Sequence, residues 1–177
     1  MLEYALNNMA IAVYSKANKS IKITQPSKKY ALSIHGLIKK SPPLDLNSSY
    51  LYLLQSFYFS NTCAVAILNE KVIGFVSGFI NPKKQNSLFV WQVVIDEKFR
   101  GLGLGVELIE FILKKNRSLD HIETTVTKEN HASRKMFRKI YEKYESNISE
   151  QVLFEKTKDF MGQHESEFLI KIGPIII

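Results

Sequence analysis

Residues 87–115 read SLFVWQVVIDEKFRGLGLGVELIEFILKK. The first nine are apolar almost throughout, which marks a strand buried on both faces and therefore central in its sheet. The last ten or so place Val106, Leu108, Ile109, Phe111, Ile112 and Leu113 at the spacing of a core-facing helix. Between them stand Arg100 and three glycines at alternate positions, Gly101, Gly103 and Gly105. A glycine-rich turn at a helix start exposes backbone N–H groups, admits an anion closely and lies at the positive end of the helix dipole. The spacing departs from G-x-x-x-x-G-K-[ST]. It also departs from the dinucleotide pattern G-x-G-x-x-G that follows the first strand of a βαβ unit. A glycine triplet alone reads equally well as a tight turn with no ligand, so the rest of the chain has to decide.

Working outward, residues 20–24 alternate as a first strand. Residues from Pro26 carry Tyr30, Ile34, Leu37 and Ile38 along one helical face, and Pro42 and Pro43 stop that helix. A second helix is expected over 47–59, with Asn47 as its cap. Strands over 62–68 and 72–80 flank the turn Asn69-Glu70-Lys71. After the glycine turn and its helix come a strand over 122–127, a basic amphipathic helix over 130–144, and strands over 152–154 and 167–172. The order β-α-α-β-β-β-α-β-α-β-β predicts a mixed sheet with helices on its faces, an α/β (α+β) domain. Residues 1–19 read as a loose extension, with a short helix over 2–14, and not as a signal peptide. Residues 20–177 read as one domain.

The net charge of +7 comes from scattered lysines, not from one basic stripe or an aromatic platform. That argues against a nucleic-acid surface and suits a small polyanion such as a nucleotide diphosphate. No apolar run approaches the roughly 20 residues of a membrane helix. The single cysteine, Cys63, lies in the apolar stretch TCAVAIL and reads as a core residue in a reducing, cytoplasmic protein.

A strand ending V-V-I-D, then R-G-x-G-x-G, resembles the first cofactor motif of the GNAT superfamily of acyl-CoA N-acyltransferases. The resemblance covers about residues 20–172. It implies a mixed, mostly antiparallel central sheet of six to seven strands with about four helices, and acetyl-CoA as cosubstrate without a metal. It places Arg100, Gly101, Leu102, Gly103, Leu104 and Gly105 around the pyrophosphate. Val93, Val94 and Ile95 would lie along the pantetheine arm, where the strand splays from its neighbour. Asn130, Ser133, Arg134 and Phe137 correspond to the second cofactor motif. Val94 N–H is the expected donor to the thioester oxygen.

The blocks SPPLDLNSSYLYLL (41–54), FVWQV (89–93), ETTVT (123–127) and N-x-x-S-R-x-x-F (130–137) resemble, within that superfamily, the L-2,4-diaminobutyrate acetyltransferases of ectoine biosynthesis. The implied reaction moves acetyl to the 4-amino group of diaminobutyrate. A homodimer is expected from the superfamily's habit.

Acetylating an amine requires its deprotonation, because an alkylammonium pKa is about 10. A dicationic amino acid also needs acids around its ammonium groups and donors around its carboxylate. The expected substrate residues are Asp45, Leu46, Asn47, Ser49, Trp91, Thr125, Thr127, His164 and Glu165. Trp91 would offer its face to an ammonium, against an alternative role in the core. Glu123 and His164 are candidate proton acceptors. Where many superfamily members carry a tyrosine that protonates the leaving thiolate, this chain has Phe137, so Tyr141, one turn on, is the expected substitute. Three alternatives stand beside this reading: an acetyltransferase for polyamines, aminoglycosides or protein amino groups, a CoA-binding domain without catalysis, and, last, a nucleic-acid module.

Overall fold

The computed structural model describes residues 20–177. The extension and short helix expected within residues 1–19 lie outside them. Seven strands form one sheet: β1 (Lys22–Thr24), β2 (Ala64–Leu68), β3 (Lys71–Ile80), β4 (Ser87–Ile95), β5 (His121–Val126), β6 (Asn147–Phe154) and β7 (Glu167–Gly173). Their order across the sheet is β1-β2-β3-β4-β5-β7-β6. Every pair is antiparallel except β4 with β5. Four helices cover the two faces: α1 (Ala31–Lys39), α2 (Ser49–Phe57), α3 (Leu104–Lys115) and α4 (His131–Lys143).

The apolar 87–95 stretch is the fourth of the seven strands, as its composition requires. Its neighbours split the core in two. Leu88 and Val90 join Leu108, Ile109 and Ile112 of α3 and Phe137 and Ile140 of α4 in the larger cluster. Val94 joins Ile34 and Ile38 of α1 and Tyr52 of α2 in the smaller one, on the opposite face. Burying each such side chain contributes about 2 kcal/mol. Cys63 lies fully buried in the smaller cluster, and burial pushes its thiol up to about 12, with the Gly78 backbone opposing in part.

Two irregularities of β4 shape the site. The parallel pairing with β5 spans only Ser87, Leu88 and Phe89 against His121, Ile122 and Glu123, after which the strands part. The ladder to β3 also slips between Ser77 and Gly78, whose partners are Gln92 and Val90, so Trp91 is the extra residue of a β-bulge. A bulge inverts side-chain parity. Leu88 and Val90 precede it on the α3/α4 face, Val93 and Ile95 follow on that same face, and Gln92 and Val94 turn to the α1/α2 face.

Two element boundaries differ from expectation. Ser48, not Asn47, caps α2: its hydroxyl accepts from Leu51 N–H at 3.4 Å. The Asn47 N–H is instead directed to the Tyr52 hydroxyl at 3.3 Å. The strand expected over 152–154 begins at Asn147 and is exposed along its whole length. NISEQ shows no apolar face because an edge strand outside both cores has none to supply.

Candidate active site

On the α3/α4 face, where β4 and β5 have parted, a cavity of about 320 Å³ opens. One wall is Val93 and Ile95 of β4. The floor is the glycine turn, through Arg100, Gly101, Gly103, Leu104 and Gly105, with Phe99 and Val106 beside it. The far wall is one face of α4, Ala132, Ser133, Lys135, Met136 and Lys139. Gly103 sits before α3 at φ +93°, a left-handed conformation that glycine takes without strain. A side chain at position 105 would meet Met136 Sδ at 2.7 Å, so that glycine permits the α3–α4 contact that closes the cavity. Val106 N–H already reaches the Gly103 carbonyl at 2.9 Å, which leaves the N–H groups of Leu104 and Gly105, at the very start of α3, without an acceptor inside the helix and beside this space. Arg100 is fixed at the rim by Nε donating to the Ile95 carbonyl at 3.0 Å and Nη2 reaching Ser41 Oγ at 3.5 Å. Lys135 and Lys139 add two cations, and neither has an ion-paired carboxylate among the described residues. Free N–H groups and three cations around an open glycine turn fit a pyrophosphate-bearing cofactor such as coenzyme A.

The second motif is used differently from expectation. Asn130 accepts from Ser133 N–H at 3.0 Å and caps α4. Arg134 donates to the Thr127 carbonyl at 3.0 Å and holds Glu150 of β6 through two bonds at 2.8 and 3.1 Å. Phe137 is buried in the larger core. Of the four, Ser133 lines the cavity. At 100° per residue, the face that presents positions 132, 135, 136 and 139 turns 134 and 137 aside. The same rotation removes Tyr141, which packs against the core. Leu102 is absent from the cavity wall.

The backbone donor also shifts. Asp96 N–H bonds to the Ile73 carbonyl at 2.8 Å, one residue beyond the Gly74–Ile95 pair. Antiparallel alternation then makes Val94–Phe75 a bonded pair and Val93–Val76 a non-bonded one. Val94 N–H is thus spent on β3, and its side chain is buried on the far face. The N–H groups of Val93 and Ile95 face the opening.

Across the sheet, on the α1/α2 face, a second group of polar residues gathers. Ile122 and Val126 face the larger core, so Glu123 and Thr125 point the other way. Ile170 and Ile172 do likewise on β7, which turns Glu167 to the same side. Glu123 is buried where β4 and β5 begin to part, its Oε2 accepting from Asn81 Nδ2 at 2.8 Å. Trp91 is half-exposed at the bulge, which excludes the core role. Asp45 and Leu46 are exposed, with Asn47 and Ser49 half-buried after them. Thr127, just past the end of β5, is half-buried.

His164 Nδ1 donates to the Glu165 carbonyl at 2.7 Å, so in the neutral ring Nε2 is an acceptor. Nε2 stands 3.9 Å from Glu167 Oε1. The Glu165 carboxylate is itself held by Lys156 at 2.5 Å, out on the loop.

Glu167 is the residue that sequence reasoning missed. Its Oε2 is buried with no hydrogen-bond partner among the described residues. Burial raises its carboxyl above the ordinary carboxylate range; the Thr125 hydroxyl and His164 oppose this, and the charge of Asp45 adds to it. Asp45, Thr125, His164 and Glu167 therefore share one locale. Two carboxylates there outnumber the donors, which suits an ammonium group. Two signals existed in the sequence: the alternation Glu167, Leu169, Lys171 on β7, and the glutamate three residues after His164.

Residues 32–141 match the model of the Acetyltransferase (GNAT) family. An L-2,4-diaminobutyric acid acetyltransferase of Methylotuvimicrobium alcaliphilum is 43% identical over 156 residues, covering 87% of this chain and 91% of the relative. One of Chromohalobacter salexigens is 37% identical over 175 residues, 97% of this chain and 91% of the relative. The solved diaminobutyrate acetyltransferase of Paenibacillus lautus, in complex with its substrate L-2,4-diaminobutyric acid and coenzyme A, superposes with a TM-score of 0.82. It is 31% identical and the match covers 89% of this chain and 96% of that one. With a split sheet, a glycine-floored cavity on one face and a cluster of acidic residues on the other, the chain belongs to the GNAT acetyltransferase family and, within it, to the L-2,4-diaminobutyric acid acetyltransferases.

Proposed function

We propose that residues 20–177 form one catalytic unit that transfers the acetyl group of acetyl-CoA to the 4-amino group of L-2,4-diaminobutyrate. The product is N4-acetyl-L-2,4-diaminobutyrate, for the compatible solute ectoine. The observation that carries this reading is the acidic pocket of Asp45, Glu167 and His164, which lies across the β4–β5 opening from the cofactor cavity.

Acetyl-CoA supplies an already activated acetyl group, so no covalent enzyme intermediate is needed. The protein's work is then to bind, align and move protons. The glycine turn, Arg100, Lys135 and Lys139 hold the cofactor's phosphates. Val93 N–H donates to the thioester oxygen as charge develops there. Asp45 and Glu167 receive the substrate's ammonium groups. The free N–H groups at the start of α2, beside Ser49, meet its carboxylate. The proton lost by the reacting amine passes to the Glu167 carboxylate or to His164 Nε2, both acceptors on one side of the pocket. Trp91 walls the passage between the two ligands, and Glu123 lies at its apex. The CoA thiolate, with a pKa of about 8.5, leaves without a strong acid, which suits a site lacking the superfamily tyrosine.

The test offers the enzyme acetyl-CoA with diaminobutyrate, ornithine, lysine and spermidine, and follows thiol release, with NMR of the product to locate the acetyl group. Diaminobutyrate is expected to be preferred and acetylated at N4. Turnover of spermidine with none of diaminobutyrate would sink the reading. A homodimer in the cytoplasm is part of the same proposal. Its support is the exposed edge of β6, with Ile148, Val152 and Phe154 open, and the reduced, buried Cys63.

A further inference from the structure

Gln92 is an amide in a strand that is otherwise apolar from Leu88 to Ile95, and it is buried. A buried amide destabilises unless both of its ends are bonded. Both are. Nε2 donates to the Asp45 carbonyl at 2.8 Å, and Oε1 accepts from the Tyr52 hydroxyl at 3.3 Å. The Tyr52 hydroxyl in turn receives Asn47 N–H at 3.3 Å. Tyr52 is fully buried, its ring set edge-on to Phe75 at 6.5 Å. Residues 45 and 47 are thus tied at two points to the central strand.

The tie starts at the bulge. Gln92 follows Trp91 directly, and the inserted residue is what turns Gln92 toward the α1/α2 face. The same insertion turns Val93 N–H toward the opening. A single backbone irregularity therefore aims the thioester donor and fixes the loop that carries Asp45.

We infer that Gln92 and Tyr52 are positioning residues for diaminobutyrate: they set the place of the Asp45 carboxylate relative to the backbone donor of β4. The inference rests on Asp45 being a substrate residue. It predicts a loss confined to one of the two substrates, because no residue of the network lines the cofactor cavity.

The test compares Gln92→Met, Tyr52→Phe and the double variant with the parent enzyme and with Asp45→Ala, by steady-state kinetics in both substrates and by thermal melting. The KM for diaminobutyrate is expected to rise roughly 10- to 30-fold in each single variant, the scale of a misplaced contact. The double variant should be no worse than Gln92→Met alone, since both substitutions cut one chain of bonds. The KM for acetyl-CoA should stay within about twofold. A normal KM for diaminobutyrate in a folded Tyr52→Phe, or equal rises in both KM values, would overturn the inference. If Gln92→Met does not fold, Tyr52→Phe, which removes one oxygen, decides. A parent enzyme inactive on diaminobutyrate would instead fail the functional reading. An active parent with a defective Asp45→Ala and a normal Tyr52→Phe would fail this inference alone.

Discussion

Glu167 holds an ionisable group in a place that opposes its charge. Burial raises its carboxyl and Asp45 adds like-charge repulsion. Because the folded-state value lies above the unfolded one, the ionised form weakens the native state, and the penalty appears as pH rises through that folded value. Glu167→Gln should therefore leave the melting temperature unchanged near pH 3.5, where both states are protonated, and raise it by about 1–3 °C at pH 7. The same variant should lose roughly 100-fold or more in kcat/KM for diaminobutyrate. Melting curves at the two pH values, beside initial rates, check both halves; a variant both less stable at pH 7 and fully active would refute the assignment. Asp45 was singled out in the sequence because it stands before a helix with no capping duty, whereas His164 stood out only through the resemblance, its loop alone reading as a solvated turn. Glu167 was passed over, since it opens a strand and the two traces it leaves in the sequence gain meaning only once its neighbour across the sheet is known.

At the scale of elements, α4 divides its cations by task. Arg134 joins the end of β5 to β6 through the Thr127 carbonyl and Glu150, and its guanidinium stands 5.6 Å from the Phe168 ring of β7. Lys135 and Lys139 face the cofactor cavity. Arg134→Ala should cost roughly 1–2 kcal/mol of stability and leave the KM for acetyl-CoA within about twofold. Lys135→Ala with Lys139→Ala should raise that KM roughly tenfold at low salt and less at high salt, with little change in melting. Denaturation and a salt series of KM values separate the two cases. A rise in KM for acetyl-CoA in Arg134→Ala would restore the cofactor role expected from the motif. The helix itself, its bounds and its basic character were readable from 3.6-residue periodicity. Which of its cations faces the cofactor was not, because that depends on how far the helix is rotated about its axis, which its packing on α3 and the sheet decides.

For the whole molecule, the decisive arrangement is that the cofactor cavity and the cluster of Asp45, His164 and Glu167 lie on opposite faces of one sheet, beside the gap between β4 and β5. On the proposed reading, neither ligand has to pass the other to reach its place. Initial-rate plots at varied concentrations of both substrates should give intersecting lines, and each substrate should bind the free enzyme measurably by calorimetry. Parallel lines would indicate a covalent acetyl-enzyme and contradict direct transfer. The sheet's local hairpins and central strand followed from alternation and apolar run length. The place of β7 did not. It is inserted between β5 and β6, a pairing across some 45 residues of chain that no local pattern encodes, and with it went Glu167.

Cys63 gives the fold a clock. Its thiol is sealed against the sheet and held protonated, so the reagent that counts each released CoA is blind to the protein while it is folded. When a molecule unfolds, one further equivalent appears. A single absorbance trace on an enzyme left without substrate therefore times its unfolding, without any label, on the same scale that measures its turnover.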